Sequence, residues 1–185
     1  MGKIKQLLPL SGRPLIAHCL DAIFKSGVCD IIVVLGPHGD EIAKVLYGMP
    51  LRIVFNELPD SDMADSARKG LSAVVPSSTG IIIYPSDHPL VKPETFITLT
   101  SEHGRHPDRI VIPVHNEKRG HPALFPREVI NELFEGITLR DIINRDKNRT
   151  RFISVPDSGI LIDVDSEKDY SAIVRSTNFS GGNLS

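Results

Sequence analysis

Short apolar runs alternating with helix-length amphipathic stretches constrain this chain most. Ile31–Leu35 is a continuous apolar run, as in a strand covered on both faces. Leu51–Phe55 and Ile81–Tyr84 read as a second and third strand of the same kind. Between them the period changes from two to about 3.6. Pro14 suits a first helical position, and Leu15, Ile16, Cys19, Leu20, Ile23 and Phe24 form one stripe that ends at Gly27. Gly36–Gly39 reads as a turn and Asp40–Leu46 as a short helix. Ser61–Val75 is expected to be helical, with Met63, Ala67, Leu71 and Val74 on one side. Strand and helix in alternation imply an α/β fold, with a mostly parallel sheet flanked by helices in three layers.

The second half continues the pattern with shorter pieces. Pro93 opens a helix running to about His103, and Arg109–Val114 is a strand. A polar turn, Asn116–Gly120, follows, and His121–Phe125 leads back as a second strand. Pro126–Phe134 is expected to be helical, and Thr138 caps another helix through about Asn144. Phe152–Val155 and Gly159–Ile162 read as short strands, and Ser166–Val174 as a last helix. Residues 1–175 make one domain, and 176–185 make a polar, flexible tail.

A chain of 185 residues that is 41% hydrophobic can bury one good core. A net charge of −2 and the absence of Trp point away from a nucleic-acid partner. No apolar run is long enough to span a bilayer, and no signal peptide opens the sequence, so no membrane partner is expected. Cys19 and Cys29 read as reduced thiols of a cytoplasmic protein.

In sheets of this class ligands gather at the carboxyl ends of the strands. Asp87 lies just past such an end, in Pro85-Ser86-Asp87-His88-Pro89, where a hard cation such as Mg²⁺ finds an oxygen ligand. A turn-forming Asp before Pro is the plainer alternative. Gly120-His121-Pro122 fixes a tight backbone with one imidazole, although a surface turn would read the same. In Asp163-Val164-Asp165 two carboxylates could share a metal, or one could cap the helix that follows. Lys3, Lys5, Arg13 and Arg68 could neutralise phosphates or be solvated surface charges. No His-x-x-x-His or Cys-x-x-Cys spacing supports zinc, and there is neither a Gly-x-Ser-x-Gly elbow nor a Gly-Lys-Ser/Thr loop.

Taken in order, these motifs resemble the MobA-like nucleotidyltransferases, and within them the molybdenum cofactor cytidylyltransferase branch. Met1-Gly2-Lys3-Ile4-Lys5-Gln6-Leu7-Leu8-Pro9-Leu10 is similar to the family's Met-Gly-x-x-Lys-x-x-Leu-Pro segment. Gly12-Arg13-Pro14-Leu15-Ile16 is similar to its Gly-x-Pro-Leu-Ile helix start. Asp87-His88-Pro89 resembles its Asp-x-Pro motif. Gly120-His121-Pro122 resembles the stretch that marks this branch, and Asp163-Val164-Asp165-Ser166 with Asp169-Tyr170 resembles its carboxyl-terminal motif.

The resemblance implies a nucleotide-diphospho-sugar transferase-like, Rossmann-like fold. It also implies transfer of CMP or GMP from CTP or GTP to a molybdopterin-type phosphate acceptor, with Mg²⁺ as cofactor and pyrophosphate as product. By this likeness Lys5 touches the triphosphate, Asp87 binds Mg²⁺, and Asp163 or Asp165 is the second acidic ligand. His121 sits beside the acceptor, and Lys3, Arg13 and Ser66 help hold the nucleotide. A molybdoenzyme or its chaperone is the implied protein partner. The family's opening strand and glycine-rich loop, Leu-Ala-Ala-Gly-x-Ser-x-Arg, are expected before Met1. Without them, Ile31–Leu35 and Ile81–Tyr84 should have unpaired edges or pair directly. Asp62 stands where the family has glycine, which adds bulk and charge near the nucleotide. Two other functions fit the same motifs: a non-catalytic nucleotide- or cofactor-binding relative, and a sugar-phosphate nucleotidyltransferase.

Overall fold

A computed structural model of the chain describes residues 4–180. The first described residues form a 3-10 turn (Lys5–Leu7) and a two-strand ribbon, β1 (Pro9–Leu10) and β2 (Arg13–Pro14). Ser11 and Gly12 between them have φ of 47° and 79°, as a type I′ turn requires. The chain then runs through α1 (Leu15–Lys25), β3 (Ile32–Leu35), α2 (Asp40–Leu46) and β4 (Arg52–Phe55). It continues through α3 (Met63–Leu71), β5 (Gly80–Ile83), α4 (Pro93–Arg105) and β6 (Ile110–His115). The remaining elements are β7 (Lys118–Arg119), β8 (Ala123–Pro126), α5 (Arg127–Ile130), α6 (Leu139–Arg145), β9 (Thr150–Ser154) and α7 (Glu167–Ser180).

The fold is α/β as expected, but the pairing is mixed rather than mostly parallel. β3 pairs with β4 and β6 with β9 in parallel, whereas β8 runs antiparallel to both β5 and β6. The cause is local. Asn116 and Glu117, both at positive φ, turn β6 straight back into β7, and so short a connection permits only antiparallel return. Gly159–Ile162 is not a strand. Ser158–Leu161 is a 3-10 turn, because the Asp157 side chain takes the Gly159 N–H at 2.9 Å and pulls the backbone around. Pro126–Phe134 is divided between α5 and a 3-10 turn, Asn131–Glu135. Pro14 stands just before α1 instead of inside it. The last helix continues through the start of the expected tail to Ser180.

Apolar faces of the helices meet the sheet as their periods dictate. Phe96 and Leu99 of α4 are fully buried, as are Ile110 and Val111 of β6, and Ile142 of α6. α3 (Met63–Leu71) is shorter at both ends than the expected Ser61–Val75; its start at Met63, the first residue of the apolar stripe, is set by Asp62 and Asp65, which form a reciprocal capping box there. Asp62 thereby serves the helix end.

The sheet is interrupted. β3 and β4 form one unit, β5 belongs to another, and no backbone ladder joins β3 to β5 among the described residues. Asp30, just before β3, reaches the Val75 N–H just before β5, so the two strands start at the same end and run the same way. Between them lies a cavity of about 720 Å³ lined by Ile32, Val34, Ile82 and Tyr84, with α1 and α3 residues above and below.

Candidate active site

Four chain segments converge at the carboxyl end of β5. After Ile83 the chain turns through Tyr84-Pro85-Ser86 to Asp87. The Tyr84 hydroxyl donates to the His88 carbonyl, and Cys19 on α1 donates to the Ser86 carbonyl at 3.5 Å. These contacts hold the turn from two sides. Burial pushes the Cys19 thiol up to about 12, so it stays protonated and acts only as a packing group and weak donor. Both cysteines are free.

The Asp87 carboxylate is shared between two donors. Lys5 Nζ lies 3.0 Å from Oδ2, and His88 Nδ1 lies 2.8 Å from Oδ1. Burial works against the Asp87 charge, but the hydrogen bonds from His88 and Lys5 outweigh it and hold the carboxyl well below the usual carboxylate range. An ionised carboxylate only accepts, so Nδ1 of His88 carries the proton. Lys5 also reaches Asp165 Oδ1 at 2.9 Å. Burial opposes its charge as well, yet the bonds to Asp165 and Asp87 prevail and raise its pKa. Two carboxylates therefore converge on one cationic point, with Lys5 occupying it.

His88 is nearly buried and meets His121 edge to face, with ring centroids 4.9 Å apart. The turn carrying His121 is clamped: Gly120 N–H donates to Pro113 O and His121 N–H to Ile160 O, each at 3.0 Å. Nδ1 of His121 is buried with no hydrogen-bond partner in the protein. Burial, reinforced by the neighbouring His88, lowers the His121 pKa, so the ring is neutral near pH 7 with one nitrogen uncommitted.

Of the residues singled out in the sequence, Lys5, Asp87, His121 and Asp165 come together. Asp163 faces His121 electrostatically but joins no carboxylate set. Indeed, no group of three or more His, Cys, Asp or Glu suited to a metal occurs among the described residues. Arg13 lies elsewhere, in a half-exposed pair with Asp21 at 2.5 Å. Ser66 lines the cavity beside β3 and accepts from the buried Asn56 at 3.4 Å. Lys3 lies outside the described residues. The donor set still fits a hard divalent cation, because such an ion commonly takes one or two carboxylates, several waters and substrate phosphates.

Sequence reasoning passed over two residues. His88 orients Asp87, and only its place in the Asp87-His88-Pro89 motif hinted at this. Asp157, 3% exposed, accepts from Lys92 N at 2.9 Å, Thr95 Oγ1 at 2.6 Å and Gly159 N at 2.9 Å. It ties the Ser158–Leu161 turn to the start of α4, and its only sequence signal was the Pro156-Asp157-Ser158-Gly159 turn.

Residues 1–149 match the model of the MobA-like NTP transferase domain. The chain belongs to that family. A crystal structure of Rv0371c from Mycobacterium tuberculosis H37Rv superposes with a TM-score of 0.83 at 26% identity, covering 95% of this chain and 90% of that one. A second Rv0371c structure is a complex with manganese, with a TM-score of 0.79, 26% identity, and coverage of 93% and 91%. The bifunctional protein GlmU of Mycolicibacterium paratuberculosis is 33% identical over 106 residues, which is 54% of this chain and 21% of GlmU. The chain thus spans about a fifth of the curated relatives it matches. No helix among the described residues is long and apolar enough to cross a membrane.

Proposed function

We propose that this chain is a divalent-metal-dependent nucleotidyltransferase that moves CMP or GMP from CTP or GTP to a molybdopterin-type phosphate. One observation carries the reading: Asp87 and Asp165 converge on the single cationic position held by Lys5, at the carboxyl end of β5. A triphosphate needs such a place, since phosphoryl chemistry depends on charge neutralisation and in-line positioning. The acceptor's phosphate oxygen attacks the α-phosphorus, the bond from the α-phosphorus to the bridging oxygen breaks, and pyrophosphate leaves. Asp87, kept ionised and oriented by His88, would hold the metal together with Asp165. Lys5 moves its charge to the β- and γ-phosphates. His121, neutral and with Nδ1 uncommitted, hydrogen-bonds the acceptor. Mg²⁺ bound here would neutralise charge on the phosphates.

The family match and the manganese complex of Rv0371c support the class of chemistry; the Gly120-His121-Pro122 turn supports the acceptor. The test is pyrophosphate release with CTP or GTP and a panel of molybdopterin and sugar 1-phosphates, each with Mg²⁺ or Mn²⁺. Release that requires molybdopterin supports the reading. Release with a sugar phosphate alone replaces the acceptor, and nucleotide binding without release with any acceptor leaves a binding protein.

A further inference from the structure

One face of the sheet is left open at the carboxyl ends of β6 and β9. Ile112 pairs with Phe152 of β9, and Val114 with Arg119 of β7; paired residues of neighbouring strands share a face. It is the face that α6 covers, since Ile110 and Ile112 pack with Ile142. Toward the carboxyl end that cover runs out. Phe152 is 46% exposed, Arg119 and Ser154 are exposed, and Val114 is half-buried.

On this shelf the Arg119 guanidinium lies over the Phe152 ring, 4.2 Å from its centroid. Such a stack holds a long side chain in place. Arg119 has no ion pair or hydrogen bond among the described residues, whereas Arg151 next to Phe152 is tied to Glu102. Arg119 is thus a fixed cation, stacked on one side and open on the other, that the fold itself does not use.

The shelf is coupled to His121 through the backbone. β6 advances three residues from Val111 to Val114, while the returning strand takes five, from Arg119 to Leu124. The two extra residues make a bulge at Gly120-His121-Pro122, which re-aims His121 toward His88. Gly120 N–H, bonded to Pro113 O, holds the bulge against β6. The His121 and Phe152 backbones are two strand spacings apart, roughly 10 Å. An extended phosphate ester with its phosphate at His121 can lay its far end on the shelf.

We propose that Arg119 and Phe152 form a platform that stacks a planar heteroaromatic ring at the far end of the acceptor, and so select such a phosphate over a sugar phosphate. The inference rests on the acceptor reading above and gives it a physical site. The ring lies on the open side of the guanidinium, with Phe152 beneath, and Ser154 offers a hydroxyl to its polar edge. A sugar has no π face to offer and gains none of the stacking.

The test uses hydroxymethylpterin phosphate, a fluorescent ring with a terminal phosphate. The chain has no Trp, so pterin emission reads binding directly. Arg119→Ala, Arg119→Lys, which keeps the charge but loses the plane, and Phe152→Leu, which keeps apolar bulk but loses the ring, are compared with wild type. The pterin phosphate is expected to bind wild type and to bind each variant at least about fivefold more weakly. Affinity for glucose 1-phosphate and for Mn²⁺·CTP or Mn²⁺·GTP, read by calorimetry, should change less than about twofold. All sites are exposed, and unchanged Tm confirms that the variants fold. No pterin binding by wild type overturns the proposal, as does unchanged pterin affinity in Arg119→Ala and Phe152→Leu. Equal losses for the pterin and glucose 1-phosphate overturn it too, since Arg119 would then act as a bare charge. Equal loss of the nucleotide would make the shelf a nucleotide site instead. Failure of the transfer reading shows separately, as no pyrophosphate release with any acceptor from a chain that still binds the pterin.

Discussion

Gly120→Ala tests whether the His121 turn is fixed by contact with the Ser158–Leu161 turn. A Cβ built on Gly120 would meet the Ile160 carbonyl oxygen first and lie 2.6 Å from Ile160 Cγ1 and 2.8 Å from the Ile160 carbonyl carbon, whereas ordinary contact begins near 3.4 Å. Backbone, not a flexible side-chain tip, stands in the way, so the two turns must part by at least about 0.6 Å. Separation stretches the 3.0 Å bond from His121 N–H to Ile160 O. Overpacking of this kind costs about 1–3 kcal/mol, and loss of the hydrogen bond adds about 1 kcal/mol. For a domain of this size each kcal/mol lowers Tm by about 2–4 °C. A fall of roughly 5–15 °C is therefore expected in thermal unfolding followed by circular dichroism. Pyrophosphate release should fall further than stability does at a temperature where the variant remains folded, because His121 is displaced from its acceptor. A Tm within about 2 °C of wild type, with unchanged release, would refute the clamp.

Asp87→Asn removes the charge but keeps the shape; calorimetry should show Mn²⁺·CTP or Mn²⁺·GTP binding weakened at least about tenfold, and unchanged affinity for both would sink the metal role. Lys5→Met frees the two carboxylates, so Mn²⁺ alone should bind more tightly by electron paramagnetic resonance titration while the nucleotide binds more weakly; weaker Mn²⁺ binding contradicts the shared position. Asp157→Ala strands two donors at the start of α4 and one in the Ser158–Leu161 turn and should cost about 3–5 kcal/mol in denaturant unfolding, against which a loss below about 1 kcal/mol would count. His121 has a depressed folded pKa, so the unfolded state binds more protons below its ordinary value near 6.5. Its contribution is thus present above about pH 6.5 and lost as pH falls; wild type should lose more stability than His121→Asn between about pH 7 and pH 5, and parallel curves would dispose of the buried neutral imidazole.

Periodicity made the strands and most of the helices legible because each buries a face that the sequence must keep apolar. Pairing direction was less legible. β8 is as apolar as a parallel strand, and only the Asn116–Gly120 turn, read in the sequence as leading back, signalled the reversal that Asn116 and Glu117 make; the antiparallel partnership with β5 left no such signal. Gly159–Ile162 carried the apolar look of a strand, but the backbone of the Ser158–Leu161 turn is governed by one side chain, Asp157, bonded across 62 residues to Thr95. Such a long-range contact leaves no local period. In the site, Asp87 was visible from its place at a strand end. The choice between Asp163 and Asp165 was not, since alternation of two residues cannot say which carboxylate lies nearer a lysine 160 positions away.

Two backbone bonds explain why Asp165, and not Asp163, reaches Lys5. Val164 N–H donates to the Asp87 carbonyl at 2.9 Å, and His121 N–H donates to Ile160 O. The first staples the segment between Leu161 and α7 to the β5 end; the second staples the turn before it to the β6–β8 side. With Val164 fully buried between Leu10, Leu15 and Ile173, its neighbours must point outward in different directions. Asp163 is left toward His121, and Asp165 is carried over Lys5, where Ser166 and Asp169 cap α7 immediately behind it. The cap fixes the backbone, leaving the Asp165 carboxylate free of helix-capping duty. Contact with Lys5 and capping of α7 therefore fall to different residues of one short segment, Asp165 to the first and Ser166 with Asp169 to the second, and the register that Val164 imposes decides which.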